Sequence, residues 1–161
     1  MRIGISGHTN LTQACGTLVY EAIREALRPY SQQRLVGVTC LARGADQIFA
    51  QAVLDSGGQV TVLLPSRNYR EKKVKPANLK AFDDLLSKAA EVVYMPFDEP
   101  GRAAYMAASE ELVARSELMV AVWDGKPAGG YGGTADVVDH ARSLGRVVLV
   151  VWPEGAEREP A

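Results

Sequence analysis

The stretch ELMVAVWDGKPAGGYGGT, residues 117–134, joins a short apolar run to a glycine-rich loop. Residues 118–123 are apolar without alternation, a pattern typical of a strand that helices cover on both faces of a sheet. Ala135, Val138 and Ala141 then recur at the spacing of one helix face. A strand, a loop and a helix in this order form the unit from which parallel sheets are built.

The same alternation runs from end to end of the chain. It predicts strands at 2–6, 34–39, 59–64, 91–95, 117–123 and 146–152. Five helices are predicted on apolar stripes within 18–26, 48–53, 79–89, 105–113 and 135–141, and all five stripes, Tyr105 included, are expected to be core. The fold class is therefore α/β, with a mainly parallel sheet of about six strands and helices on both faces.

Length and charge limit the organisation of the chain and its partners. With 161 residues, 47% of them hydrophobic, the chain suits one domain, predicted at 1–153 with a flexible charged tail at 154–161. The net charge of −1 argues against a long nucleic-acid footprint, which normally needs a basic excess. It leaves room for a small anionic ligand.

Cysteine usage and hydropathy indicate a compartment. Cys15 and Cys40 are too few for a disulfide framework, and no cluster of side chains has metal-ligand spacing, so no metal is predicted. No apolar run approaches the roughly 20 residues of a membrane span, and the chain opens on a strand rather than a signal peptide. We expect a cytoplasmic protein with no membrane partner.

One segment, residues 66–76, has neither helical nor strand periodicity. It carries five cations against one acid and is predicted to be a mobile basic loop: Arg67, Arg70, Lys72, Lys73 and Lys75 against Glu71.

Candidate ligand-binding residues follow three of the predicted strands. In a parallel sheet these positions share the carboxyl edge, where ligands bind. They are Gly7, His8 and Thr9 after the first strand, Arg43, Gly44, Ala45 and Asp46 after the second, and Asp124 after the fifth.

Several of these residues have two interpretations. Arg43 suits a phosphate or carboxylate, whereas Asp46 is either a ligand contact or an acid at a helix start. His8 is either a ligand contact or a turn residue. Asp124 either orients a ligand hydroxyl, acts as a base, or caps the turn at Gly125.

The glycine-rich loop is the candidate phosphate cradle. Glycines allow close approach of a ligand, and a helix N-terminus offers unpaired N–H groups, which points to Gly130, Gly132, Gly133 and Thr134. Thr134 would cap the helix or donate its hydroxyl; the alternative is a flexible connection. Neither a G-x-x-x-x-G-K-[ST] nor a G-x-G-x-x-G motif is present, so ATP hydrolysis and hydride transfer are not indicated.

Motifs in this order resemble the SLOG superfamily, which includes the Lonely Guy phosphoribohydrolases and the DNA-processing protein of bacterial transformation. The resemblance rests on residues 43–46, on strands ending at Pro65 and Pro153, and on residues 130–134. It implies a three-layer Rossmann-like fold, a nucleotide or nucleotide-derived ligand at the carboxyl edge, and a homodimer.

The chain departs from the Lonely Guy pattern at the catalytic positions. Val137 stands where that branch has a glutamate, and residues 107–110 (AASE) replace an arginine-lysine pair. A catalytic carboxylate would have to come from Asp124 or Asp136.

Three functional hypotheses follow. The first is cytosolic binding or sensing of a nucleotide or similar phosphorylated small molecule, with no cofactor established beyond a bound nucleotide or phosphate. The alternative is hydrolysis of the N-glycosidic bond of nucleoside 5′-monophosphates. The third is a single-stranded nucleic-acid interaction through the basic residues of 67–80, with the aromatic residues Tyr69 and Phe82 nearby.

Overall fold

Six strands form one parallel sheet in the computed structural model, which describes residues 1–127 and 133–160. The strands are β1 (Arg2–Gly7), β2 (Val36–Thr39), β3 (Gln59–Leu64), β4 (Glu91–Tyr94), β5 (Leu118–Val122) and β6 (Val147–Val151). Their order is β4-β3-β2-β1-β5-β6, and every neighbouring pair is parallel. The predicted parallel sheet is confirmed, with each strand within two residues of its predicted bounds.

The helices are α1 (Gln13–Leu27), α2 (Ala45–Asp55), α3 (Tyr69–Lys73), α4 (Pro76–Ser87), α5 (Arg102–Arg115) and α6 (Thr134–Ser143), with a 3₁₀ turn at Arg28–Tyr30. Local chemistry sets several of their ends. The Thr12 hydroxyl accepts from the Cys15 N–H at the start of α1, and Gly145, at φ +73°, follows the end of α6 as predicted. The short helix α3 was not predicted.

Two apolar clusters lie on the two faces of the sheet. Side chains of α1, α2 and α4 pack with Val120 and Val122 in one cluster, whereas α5 and α6 pack with Met119 in the other. Since successive strand residues point to opposite faces, this alternation places helices on both sides. All five residues of β5 are buried, as the unbroken apolar run predicts. The three-layer arrangement is confirmed.

The prediction of an irregular basic loop at 66–76 is wrong for its central part. Tyr69–Lys73 form α3, whose Arg70 guanidinium makes two 2.7 Å hydrogen bonds to the Asp83 carboxylate on α4. The Tyr69 ring also lies 6.2 Å from the Phe82 ring. A helix of five residues is too short to show periodicity, so contacts with α4 decide its formation.

Residues after Pro153, expected to be a flexible tail, contact the loop after β1. Glu157 accepts a backbone hydrogen bond from Thr12 (3.2 Å), and the Glu159 N–H donates to the Asn10 carbonyl (2.6 Å). Leu11 and Arg158 form an antiparallel bridge between these two hydrogen bonds. We call residues 157–159 the strap.

No helix within the described part of the chain combines the length and the apolar character that a membrane crossing requires.

Candidate functional site

A cleft of about 590 Å³ opens at the carboxyl edge of the sheet, beside the ends of β1 and β5. The strand order reverses its direction between these two strands, so the loops that follow them diverge. The cleft is lined by the loop after β1, the loop after β2, the end of β3, α3, α5, the ends of the β5–α6 connection and Arg158.

The loop after β1 is held from both sides by backbone hydrogen bonds. The His8 N–H donates to the Val122 carbonyl, and the His8 carbonyl accepts from the Ala45 N–H, each at 3.2 Å. Gly7 allows this approach because a Cβ there would lie 2.5 Å from the Ala45 Cβ. Gly7, His8 and Thr9 all line the cleft, as the sequence suggests.

The loop after β2 places α2 against that first loop. Gly44 has φ +88°, and a Cβ on it would lie 2.7 Å from the His8 carbonyl oxygen, so this position needs glycine. The adjacent Arg43 is exposed and does not line the cleft, although its spacing suggested a ligand contact. Gly44 and Ala45 do not line the cleft themselves, but they contact the loop after β1, which does.

Asp46 lies in the first turn of α2, with only 8% of its surface exposed, and lines the cleft. Its carboxylate accepts from the Ala42 N–H at 3.2 Å, which closes the β2–α2 loop. Burial raises the pKa of Asp46 to about 7, against the opposing effect of that hydrogen bond. Asp46 is therefore an acid at a helix start that also faces the candidate site, and its role as a ligand contact stays a prediction.

Two tyrosines that the sequence did not assign to the ligand site form an aromatic wall near Asp46. The Tyr69 and Tyr105 rings are 6.4 Å apart and nearly perpendicular, and both line the cleft. Burial, with Tyr105, Asp46 and the Cys40 thiol nearby, raises the pKa of Tyr69 above its usual value. The prediction that Tyr105 belongs to the core is wrong, because 39% of it is exposed.

His8 lies beside Asp124 at another part of the cleft. Its Nε2 is 3.1 Å from the Asp124 backbone nitrogen and 3.3 Å from the Asp124 Oδ1. Burial, reinforced by Arg158, lowers the pKa of His8, and Asp124 opposes this less strongly. The ring also meets Trp152 edge to face at 5.6 Å.

Asp124 serves as the turn cap that was one of its predicted roles. Its Oδ1 accepts from the Lys126 N–H at 3.0 Å, and its Oδ2 lies 3.4 Å from Nη1 of Arg158. Burial alone would raise the pKa of Asp124, but Lys126, His8 and Arg158 together lower it. The Asp124 carboxylate lines an adjoining groove of about 540 Å³ rather than the cleft.

The β5–α6 connection brings the N-terminus of α6 to the cleft. Gly133 occupies the N-cap position, and Thr134, with 9% of its surface exposed, is the first helical residue; both line the cleft. Because Gly133 is the N-cap residue, the prediction that Thr134 caps the helix is wrong. Asp136 lines a second groove between α5 and α6. Gly130 and Gly132 lie outside the described residues.

Neither models of protein families nor curated proteins match this chain, but solved structures do. DNA processing protein A from Streptococcus pneumoniae aligns with a TM-score of 0.70 at 17% identity, over 96% of this chain and 51% of that one. The Helicobacter pylori protein, in a structure described by its single-stranded DNA binding mode, aligns at 0.66 and 16%, over 99% and 68%. The molybdenum cofactor binding protein of Rippkaea orientalis aligns at 0.59 and 17%, over 95% and 77%.

The chain has the Rossmann-like fold of these proteins. It spans about half the length of the pneumococcal protein. At such low identity the likeness concerns the fold, and the fold is the one that resemblance to the SLOG superfamily implies. That expectation is confirmed at this level.

Proposed function

We propose that this protein binds a nucleotide or a similar phosphorylated small molecule in the cleft between the ends of β1 and β5. The observation that carries the proposal is the combination of chemistry in one cavity. A helix N-terminus, a buried carboxyl and an aromatic pair all line the same 590 Å³ space. That volume lies within the usual range for small-molecule sites.

The β5 side of the cleft suits the phosphate. The first N–H groups of a helix have no partner within the helix, and the helix dipole adds partial positive charge there. In α6 these groups follow Gly133, and Thr134 adds a hydroxyl. Two cations also line the cleft on this side. Lys126 belongs to the β5–α6 connection, and Arg158 contacts Asp124 in that connection.

The β3 side of the cleft suits a planar ring with hydrogen-bonding atoms. Tyr105 presents a partly exposed aromatic surface, and Tyr69 packs against it from α3. Aromatic side chains stack on any nucleobase with little selectivity. Asp46, close to neutral pH, has a protonated form that donates a hydrogen bond and an ionised form that accepts one.

The test is calorimetric titration with nucleoside 5′-monophosphates, beginning with AMP. We expect Tyr105→Ala to weaken AMP binding by about 5- to 100-fold, because base stacking on an aromatic contributes roughly 1–3 kcal/mol. Tyr94→Ala is the matched control, since Tyr94 is similarly exposed but lies on the edge strand β4, away from the cleft. If no monophosphate bound the parent protein, the proposal would be wrong.

Hydrolysis of the glycosidic bond has less support from the arrangement of carboxylates. Asp46 is the carboxylate that lines the cleft within 1–127 and 133–160, whereas Asp124 and Asp136 line adjoining grooves. We therefore expect no release of free base when AMP is incubated with the protein.

A single-stranded nucleic acid is the second candidate partner. Five cations along α3 and α4 are exposed: Arg67, Lys72, Lys73, Lys75 and Lys80. They follow the carboxyl end of β3, and α3 also supplies Tyr69 to the cleft. A strand of nucleic acid on this surface would reach the same cleft.

A further inference from the structure

The strap brings a charged side chain to the cleft from a distant part of the chain. Its two backbone hydrogen bonds to the loop after β1 fix Arg158 beside Asn10 and Asp124. Arg158 lines both the cleft and the adjoining groove, and 39% of its side chain is exposed. Nothing in the sequence pattern pointed to this residue as part of a site.

The guanidinium of Arg158 is oriented by the protein but only partly used. Its Nε donates to the Asn10 Oδ1 at 3.0 Å, and its Nη1 lies 3.4 Å from the Asp124 Oδ2. An arginine has five N–H donors. None of the residues in 1–127 and 133–160 accepts from the remaining donors.

The partners of Arg158 leave its positive charge incompletely balanced. Asp124 already accepts a hydrogen bond from the Lys126 N–H, and the contact with Arg158 is long for a charged pair. Lys126 lines the cleft beside it, whereas Glu157 and Glu159 line the adjoining groove together with Asp124. On the cleft side, Arg158 and Lys126 are therefore the charged groups of this corner, and Arg158 offers a fixed fork of donors, the geometry that phosphate oxygens accept.

We propose that Arg158 binds the phosphate of the ligand, together with the N-terminus of α6, so that the strap forms part of the binding site. This inference rests on the proposed function and assigns the charged end of the ligand to the β5 side. The aromatic pair then receives the ring on the β3 side.

The test compares AMP with adenosine in calorimetric titrations of the parent, Arg158→Gln, Arg158→Lys and Arg142→Gln. We expect Arg158→Gln to weaken AMP binding by about 10- to 100-fold, the usual effect of a charge-assisted hydrogen bond, and to change adenosine binding little. Arg158→Lys keeps the charge without the fork and should lie between the parent and Arg158→Gln. Arg142→Gln removes an exposed arginine on α6 that does not line the cleft and should behave as the parent.

Salt dependence supplies a second readout that a merely structural role would not change. The AMP affinity of the parent should fall more steeply with salt than that of Arg158→Gln, because one charged contact is missing in the variant. Equal losses of AMP and adenosine binding, or parallel salt dependence, would mean that Arg158 only holds the strap and would overturn the inference. A parent that binds AMP, with Arg158→Gln unchanged, would overturn it while leaving the proposed function intact. A parent that binds neither probe would overturn both.

Discussion

Asp46 combines burial, a hydrogen bond to the Ala42 N–H and a position in the cleft wall. Its pKa of about 7 in the folded protein exceeds that of an unfolded aspartate, near 3.8. Between these values the unfolded chain loses its proton first, so the free energy of unfolding falls as the pH rises from about 4 to about 7. Above that window the folded protein contains a buried negative charge.

Replacing Asp46 by Asn should remove this dependence. We expect Asp46→Asn to be more stable than the parent at pH 8, by about 1–4 kcal/mol, because one unit of pKa corresponds to roughly 1.4 kcal/mol. The advantage should shrink as the pH falls toward 4. Urea unfolding at several pH values measures it, with Asp139→Asn, an exposed acid on α6, as the control. An advantage that did not vary with pH would contradict the argument.

Individual site residues were only partly predictable from the sequence. Residue type and position after a strand identified Gly7, His8, Asp46 and Thr134, which all line the cleft. They did not reveal the direction of a side chain, so Arg43 was included although it points to solvent. Arg158, which also lines the cleft, was missed because its position depends on where the strap crosses the sheet edge.

At the scale of elements, the junction of the β2–α2 loop with the loop after β1 determines the shape of the cleft. Gly44 stands at this junction with a positive φ and in close contact with the His8 carbonyl. We expect Gly44→Ala to lower the free energy of unfolding by about 2–4 kcal/mol, through backbone strain and the displaced loop.

The matched control is Gly145→Ala. Gly145 also has a positive φ, but a Cβ there would meet nothing within 4 Å. Gly145→Ala should lower the free energy of unfolding by only about 1 kcal/mol, because only the backbone conformation is unfavourable. Urea unfolding compares the two variants, and equal losses would show that the loop contact does not matter.

Strands and helices that bury one or both faces have a regular apolar pattern and were predictable from the sequence. Elements that form only through tertiary contacts were not. β5 is covered on both faces and therefore has an unbroken apolar run. α3 is five residues long and is stabilised by the Arg70 pair with Asp83 on α4. The strap has no periodicity at all, because backbone bonds to a single loop hold it.

At the scale of the whole molecule, strand order decides which loops meet. A parallel sheet was predictable, but its order β4-β3-β2-β1-β5-β6 was not, since local patterns do not encode neighbours. That order puts β1 beside β5 and brings the two halves of the cleft together, one supplying the aromatic pair and the other Lys126 and Arg158.

The distribution of charge over the molecule leads to the last prediction. The chain has a net charge of −1, yet the exposed lysines of α3 and α4 concentrate positive charge beside the cleft. Arg70 is already paired with Asp83, so the surface available to phosphates is smaller than the sequence suggested. A single strand would therefore contact few phosphates. The logarithm of its binding constant should fall only slowly with the logarithm of the salt concentration, with a slope of about −0.7 for each phosphate contact.

We expect Lys72→Glu with Lys73→Glu to abolish any binding of a dT oligonucleotide, measured by fluorescence anisotropy at several salt concentrations. Arg34→Glu with Arg142→Glu is the charge-matched control, because both arginines are exposed near the amino edge of the sheet, opposite the cleft. The two double variants have the same net charge, so a difference between them locates the contact rather than reporting overall repulsion. Equal losses would assign the binding to the overall charge, and a parent protein that binds no oligonucleotide would remove nucleic acid as a partner.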